Sequence, residues 1–365
     1  MKSMVADAKV FSEAMNKVSR VLKKSTIPIL EEVHVSVKGG ICTLTATDLE
    51  TWLSAQFPVE GEDMVFTFYK TRDVMKACAH FDGELTIELY EQTEKQKASR
   101  KLRMLCGQRA AEYAASADEE YPSPISIETD HVFHTNAALL LERIERVRYA
   151  TMKPGMNTKP FNTCVQFKGQ RIFSLDGYRM ACDTQKDLTF PVPFLAYGSS
   201  LAQLKVFGKN DITVQVGTRY VLFTDGDVSL YVRRQGVDTF DVDAAVPKEY
   251  RETVTAKTAD FIKELTYLKE CASGSMKPYV RFEGEQLTMA VPNGRFRTSI
   301  PVSGRGDLTL GFDLRYMLDA LKQFKDAPEV KVKLSGVFSP IVIEAEDRGD
   351  IALVLPVRIK EEMAA

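Results

Sequence analysis

Three aspartates sit in turn-like contexts, Asp48 in TATDLETW, Asp176 in SLDGYRMA and Asp225 in TDGD. A carboxylate can work as a general acid or base only beside a convergent partner group. No histidine, cysteine or paired-carboxylate motif accompanies these three at catalytic spacing. Aspartate is also favoured in turns because its side chain bonds the next backbone amides. His131 and His134 form an HxxH, but on a strand that spacing sends the two rings to opposite faces, which argues against zinc. The cysteines Cys42, Cys78, Cys106, Cys164, Cys182 and Cys271 are widely spaced without a CxxC and read as reduced, mostly buried thiols. No Walker A loop or dinucleotide fingerprint occurs. The expectation is a protein without catalytic residues, metal or cofactor.

The turn at Asp176 has relatives. TATDLETW at Thr45–Trp52 and AVPNGRFR at Ala290–Arg297 occupy corresponding places in two other blocks, about 120 to 130 residues away. Pro28, Pro160 and Pro278 recur at similar intervals. Helical spacing is expected over Val5–Leu22, Phe68–Ala79, Asn136–Tyr149, the later part of Pro193–Phe207, Thr258–Cys271 and Gly311–Phe324, with Asn136 as a cap. Strands are expected at 29–37, 41–47, 52–58, 84–90, 101–106, 161–167, 171–174, 211–216, 219–224, 228–233, 279–282, 286–291, 330–334, 341–346 and 351–358. Residues 110–124 and 236–250 read as linkers. The fold class is therefore α+β, with three similar domains at 1–124, 125–246 and 247–365. In each, two helices pack on antiparallel sheets.

The chain has 365 residues, of which 44% are hydrophobic, enough for a core in each domain. A net charge of -2 excludes a surface coated in basic side chains, though not one basic face balanced by acidic ones. No signal sequence opens the chain and no run suits a membrane span, so a soluble, cytoplasmic protein is expected. Units that leave sheet edges open favour stacking into an arc, and an arc favours closure by a second copy.

KSTIPIL at Lys24–Leu30, TATDLE at Thr45–Glu50, LDGYRMA at Leu175–Ala181, FDLRYMLDALKQF at Phe312–Phe324 and LPVRI at Leu355–Ile359 together resemble the β sliding clamp of bacterial DNA polymerase III, over essentially the whole chain. The resemblance implies a head-to-tail homodimeric ring of six similar clamp domains around double-stranded DNA, with helices lining the hole. It implies further partners: the DNA polymerase III catalytic subunit, a clamp loader and other proteins with clamp-binding peptides. A DNA-binding or regulatory repeat protein without ring closure is the alternative, distinguished by a monomeric mass.

Sliding requires positive side chains that meet phosphates without reading bases. The candidates are Lys9, Lys17, Arg20, Lys23, Lys24, Arg72 and Lys76, then Arg143, Arg146, Arg148, Lys153 and Lys159, then Lys263, Lys277, Arg315 and Lys322. Of these, Lys24 and Lys159 match family positions where a basic residue touches DNA. The resemblance also implies a partner-peptide groove. It would use Asn162, Leu175, Gly177, Tyr178, Arg179 and Met180, the linker residues Thr239, Ala244, Ala245 and Val246, and Leu355, Pro356, Val357 and Arg358. Leu175 stands where the family has threonine and Tyr178 where it has histidine, Asn162 replaces an apolar residue, and the tail KEEMAA extends past the terminal strand. These departures imply a divergent member with its own peptide preference. Dimer contacts are expected from 68–89 against 291–300 and 312–324.

Overall fold

The computed structural model describes the chain except residues 95–96, 117–120, 123–124, 154, 156–157, 272–278, 292–294, 307 and 359–365, and side chains are not described at 93–94, 97–98, 116, 279–284 and 305. Lys277, Pro278, Asn293 and the tail Lys360–Ala365 thus lie outside the described residues. The first repeat supplies β1 (Lys2–Asp7), α1 (Ala8–Val18), β2 (Val33–Lys38), β3 (Ile41–Thr47), β4 (Thr51–Pro58), β5 (Glu60–Gly61) and β6 (Met64–Phe68). It continues with α2 (Thr71–Cys78), β7 (Glu84–Glu94), β8 (Lys97–Cys106) and β9 (Arg109–Ser116). The second supplies β10 (Val132–Asn136), α3 (Ala137–Arg148), α4 (Pro160–Thr163), β11 (Cys164–Lys168), β12 (Arg171–Leu175), β13 (Arg179–Thr184) and β14 (Phe194–Tyr197). After it come α5 (Gly198–Leu201), β15 (Asp211–Val216), β16 (Tyr220–Thr224), β17 (Val228–Arg233) and α6 (Val242–Ala245). The third supplies β18 (Glu252–Lys257), α7 (Thr258–Cys271), β19 (Tyr279–Ala290), β20 (Arg297–Gly306) and β21 (Thr309–Gly311). It ends with α8 (Leu314–Lys322), β22 (Glu329–Leu334), β23 (Ile341–Glu344) and β24 (Asp350–Val354). No helix among the described residues is long and apolar enough to cross a membrane.

The chain is α+β and divides into two compact units, residues 1–141 with 199–234, and residues 142–198 with 235–365. The first holds a 13-stranded sheet in the order β10, β15, β16, β17, β4, β3, β2, β6, β9, β8, β7, β1, β5. Its core gathers Phe11 of α1 edge-on to Phe57 and Phe68, with α1 packed on α2 and on β3 and β4. The second unit holds an 11-stranded sheet in the order β14, β11, β12, β13, β24, β23, β22, β18, β20, β19, β21. Here α7 and α8 pack together, and Phe261, Leu265, Leu268, Met317, Leu321 and Phe324 bury their apolar faces over the sheet.

Each long helix is preceded by a short strand, β1 before α1, β10 before α3 and β18 before α7, and the first of these was concealed by the helical stripe. The helix expected from Val5 begins at Ala8, because Met4 and Ala6 alternate into the core while β1 pairs with β7. Asp7 ends that strand, and its side chain accepts from the Lys9 and Val10 amides at 2.9 and 3.0 Å as an N-cap. On α1 the buried stripe is Phe11, Ala14, Met15 and Val18, whereas Val10 is exposed. Asn136 caps α3 as expected, accepting from Ala138 and Leu139, and α7 has the expected span. Phe68 belongs to β6 and α2 starts only at Thr71. Proline at the first helical position starts a 3-10 turn at Pro28–Glu31 and α4 at Pro160–Thr163, where strands were expected. The largest correction is at 110–124, read as a linker: Arg109–Ser116 is a strand along β8. Five of the six cysteines are buried. Burial pushes the Cys42 and Cys78 thiols up to about 12 and Cys182 up to about 11, the state of inert thiols.

Two seams build the sheets. In the first unit β4 pairs antiparallel with β17, Trp52 opposite Tyr231. In the second β13 pairs with β24, from Arg179 opposite Val354 to Asp183 opposite Asp350. Both seams join the strand after a repeated turn to the last strand of the following repeat. Gly349 passes so close to β13 that a Cβ there would lie 2.1 Å from the Thr184 carbonyl oxygen.

The β13–β24 seam carries a buried like-charge pair. Asp183 and Asp350 are direct cross-strand partners, 0% and 4% exposed. Arg348 engages Asp350 with two bonds, at 2.7 and 2.6 Å, whereas Arg146 stands 3.8 Å from Asp183. Burial pushes the Asp183 carboxyl above its ordinary range, and the Gln185 hydrogen bond and the Arg146 charge offset this only in part. A carboxyl raised in the folded state holds its proton more tightly there than in the unfolded chain. Stability therefore falls as pH rises from about 4 through the raised value. Urea unfolding of Asp183→Asn is expected to show a shallower fall than wild type across that window; an identical slope would refute the assignment.

Candidate functional site

The second unit has an apolar face on the side of its sheet away from α7 and α8. Register defines it: Leu175 lies opposite Met180, Met180 opposite Leu353, and Leu353 opposite Val342. Directly paired residues share a face, so these four form a row across β12, β13, β24 and β23. Phe173 and Cys182 pair in the next row. The alternate residues Ile343, Ala352 and Val354 point to the helix-covered core, and Ser174 donates to the Val147 carbonyl of α3. One strand thus serves both faces, as period two requires.

The segment after β17 covers the row. Phe240, Val242, Ala245 and Val246 pack on it, with Phe161 of α4 and Tyr250 alongside. The segment is fixed by the Phe240 amide donating to Gln166 (2.8 Å), by Asp241 capping α6, and by Arg171 bonding Asp243 (2.8 Å). Of the groove residues, Leu175 and Met180 are buried, Asn162, Thr239, Ala245, Val246, Pro356 and Val357 are half-buried, and Gly177, Tyr178, Ala244, Leu355 and Arg358 are exposed. Leu355 and Val357 are tied down through their amides, which donate to the carbonyls of Tyr178 and Gly311, each at 2.9 Å.

Three aspartate turns are alike in detail, the repeated turns at Asp48 and Asp176 and the β16–β17 turn at Asp225; the third copy of the repeated turn, at 292–294, lies outside the described residues. Asp176 accepts from the Tyr178 and Arg179 amides at 3.0 and 3.1 Å. Asp48 accepts from Glu50 and Thr51, and Asp225 from Val228. The residue after the aspartate has positive φ in all three: Leu49 at 69°, Gly177 at 87° and Gly226 at 102°. These aspartates are turn-builders, and Gly177 suits a conformation that L side chains rarely take.

Arg179 is the post of the site. Its Nε bonds Asp176 at 2.9 Å and its Nη1 bonds Asp319 of α8 at 2.6 Å. The guanidinium lies over the ring of Tyr316 at 4.6 Å and that of Tyr149 at 5.5 Å. Burial works against its charge, but the bonds to Asp319 and Asp176 outweigh that and hold Arg179 above the ordinary arginine range. Burial also drives the Tyr149 hydroxyl well upward. Tyr178, 57% exposed, stacks on Tyr316 at 5.9 Å. Arg179 therefore fixes α8 to the turn and leaves Tyr178 displayed to solvent.

The candidate cations lie largely on helices. Lys9 and Lys17 are on α1, Arg20 on the turn after it, Lys23 and Lys24 on the next loop, and Arg72 and Lys76 on α2. Arg143, Arg146 and Arg148 are on α3, Lys153 and Lys159 on the loop beyond, Lys263 on α7, and Arg315 and Lys322 on α8. Several already have carboxylate partners. Lys23 pairs with Asp48, Lys76 with Asp73, Arg143 with Asp187, Arg146 with Glu142, Arg148 with Glu145 and Arg315 with Asp313. Among the described residues, Lys9, Lys17, Arg20, Lys24, Arg72, Lys153, Lys159, Lys263 and Lys322 have none within ion-pair distance.

Sequence reasoning missed Phe173, Val342 and Leu353 in the apolar row, and Tyr149, Tyr316 and Asp319 around Arg179. Phe173 and Leu353 stand two places from Leu175 and Leu355, a spacing that marks a shared face, whereas Val342 joins the row only through its pairing with Leu353. Tyr316 and Asp319 are three apart on α8, a spacing that makes neighbours on a helix.

No protein-family model matches the chain. Among curated proteins, the beta sliding clamp of Bacillus subtilis is 22% identical, with 98% of this chain and 100% of that protein aligned. The beta sliding clamp of Staphylococcus aureus is also 22% identical, over 92% of this chain and 93% of its own. Among solved structures, the DNA polymerase III subunit beta from Pseudomonas aeruginosa has a TM-score of 0.87 at 18% identity, covering 98% of this chain and 100% of its own. The beta subunit from Thermotoga maritima has a TM-score of 0.83 at 21% identity, covering 99% and 100%.

Removing the post leaves two carboxylates and two ring faces without their cation. Arg179→Ala is expected to destabilise the second unit by about 3 kcal/mol, and Arg179→Lys, which cannot bond both carboxylates in one plane, to recover less than half of that. Denaturant unfolding checks this. A loss below about 1 kcal/mol for Arg179→Ala would show that the post is dispensable.

Proposed function

We infer that this chain, a divergent relative of the bacterial beta sliding clamps along nearly its whole length, works as a sliding clamp and polymerase processivity factor. The observation that carries the reading is the repeated seam. The last strand of one repeat pairs with the post-turn strand of the repeat before it at β4–β17 and again at β13–β24. The strand types used in these seams recur once more at β9 and β20. Among the described residues, no strand pairs with the outer edge of Arg109–Ala114 in β9, or with that of Arg297–Ile300 in β20. Open edges of complementary kind call for partners, and a second copy supplies both at once in a closed head-to-tail ring. On the first unit this edge is residues 109–114, outside the expected span 68–89.

In this reading the clamp domains are 1–124, 125–246 and 247–365, and two copies make a six-domain ring around duplex DNA. The lysines and arginines of α1, α2, α3, α7 and α8, those of α3 half-buried, meet phosphates loosely while ring closure prevents escape. The apolar row under 240–246, rimmed by Tyr178 and Leu355–Arg358, takes the clamp-binding peptides of the polymerase catalytic subunit, the clamp loader and other partners. The chain acts by tethering, without a catalytic step.

Two measurements test this. Clamp loaded onto nicked circular DNA by a clamp loader is expected to stay bound through a salt wash and to be lost once the DNA is linearised; equal loss from circles and linear DNA would remove the topological reading. Met180→Asp puts a charge in the apolar row and is expected to weaken binding of a labelled clamp-binding peptide at least about tenfold, or 1.4 kcal/mol. Unchanged affinity in a folded variant would move the peptide site elsewhere.

A further inference from the structure

The first seam carries a row built like the one in the second unit, but with other residues. Thr47, the residue before Asp48, lies opposite Trp52; Trp52 lies opposite Tyr231, and Tyr231 opposite Leu222. These four take the places that Leu175, Met180, Leu353 and Val342 take in the second seam, and directly paired residues share a face. Tyr220, two places from Leu222, joins that face and meets the Trp52 indole edge-on at 5.4 Å. The segment beside each row differs. Phe240, Val242 and Val246 pack down on the second row, whereas residues 125–129 are tied to the β15–β16 turn. The Thr129 hydroxyl donates to the Val216 carbonyl at 2.9 Å, and Ile127 rests on Gly217, where an added Cβ would lie 2.9 Å from the Ile127 Cγ2. A cavity of about 560 Å³ is left between Trp52, Ile125–Glu128 and the turn at Gly217–Tyr220, a size usual for small-ligand sites.

The lining of this cavity is of two kinds. Trp52, 6% exposed, and the half-buried Tyr220, Ile125 and Ile127 give it aromatic and aliphatic walls. Arg219 and Glu128 line it too, and both are exposed, so they stand where it opens to water. Among the described residues neither has an opposite charge within ion-pair distance, and they do not pair with each other. Two unpaired charges of opposite sign at the mouth of an apolar cavity match a ligand that brings its own pair and a ring. We propose that this cavity binds a zwitterionic aromatic amino acid, either free or as a short peptide. The ring enters beside Trp52 and Tyr220, where edge-on and offset contacts favour an aromatic over an aliphatic group. The carboxylate meets Arg219 and the ammonium meets Glu128. A simple anion or cation would leave one of the two charges unmet. The site is separate from the peptide groove, and the sliding-clamp reading does not depend on it.

Trp52 is the single tryptophan of the chain, so tryptophan emission of the full protein reports on this cavity alone. Titration with L-phenylalanine and with glycyl-phenylalanine is expected to change that emission saturably at about millimolar concentration. Tighter binding of the first assigns the site to a free amino acid, and of the second to a short peptide. Phenethylamine, which lacks the carboxylate, and phenylpropionate, which lacks the ammonium, should each bind about fivefold more weakly than the better zwitterion. Arg219→Gln should weaken the zwitterion by a similar factor and leave phenethylamine unchanged, while Glu128→Gln should do the same and leave phenylpropionate unchanged. Emission that no compound alters, binding seen by calorimetry without an emission change, equal affinity for zwitterions and single-charge compounds, or zwitterion binding that survives both substitutions overturns the site. None of these outcomes touches clamp loading or binding in the groove, which are measured separately.

Discussion

Backbone pairing at strand edges is the constraint on which the rest of the structure depends. A strand with one neighbour presents a row of unmet amides and carbonyls, and water, a covering element or another strand must satisfy them. This chain repeatedly chooses another strand. At β4–β17 and β13–β24, residues more than a hundred positions apart are brought into register. The seam then orders what surrounds it: the tight aspartate turn that launches one strand, and the glycine at 349 that lets the other approach. A repeat built this way is completed by a strand from another repeat, which is why strand edges left unpaired matter.

The groove follows from one of these seams. Where β13 meets β24, one sheet face is sealed by helices and the other collects Leu175, Met180, Leu353 and Val342 under a thin linker. The first seam is built the same way but finished differently. Its turn is closed by an ion pair between Glu50 and Arg233 at 2.9 Å, and Trp52 meets Tyr220 edge-on at 5.4 Å. Beside these rings a cavity of about 560 Å³ is shared with Ile125–Glu128 and Thr218. Charge at the rim makes that surface water-facing. The apolar residues displayed around Tyr178 make the second one fit for a partner, although both descend from one plan.

Much of the architecture was legible as spacing. The helix at Thr258–Cys271 shows its buried stripe in the letters, Asn136 reads as a cap because a helical apolar stripe begins just past it, and the aspartate turns announce themselves three times. The strand ahead of the first helix was hidden because Val5 fits a helical period as well as a strand; only pairing with β7 decides for a strand. β9 was hidden for the opposite reason. RAAEYAAS has an open edge and little core face, so it lacks the hydrophobic alternation that marks a strand. At the groove, sequence could name Met180 but not its neighbour Leu353, because adjacency there is created by the seam. Nor could it foresee that Arg179 is held by Asp319, a residue 140 positions away.

In the sliding-clamp reading proposed above, the charge arrangement suits a protein retained on DNA by closure rather than by affinity. The arginines of α3 are each bonded to a carboxylate on or near the same helix, and exposed pairs of this kind contribute about 0 to 1 kcal/mol. A phosphate arriving at such an arginine exchanges one weak partner for another, with a small net gain. Unpaired lysines such as Lys9, Lys24 and Lys263 offer a compact charge on a flexible stem and fix no orientation. In that reading neither kind would read a base or demand one register along a duplex, so successive phosphates would be nearly equivalent to the protein. A net charge of -2 keeps the total attraction modest. Residence on DNA would then depend on closure of the open edges of β9 and β20, so the backbone pairing that organises each unit would also set how long the protein stays on its track.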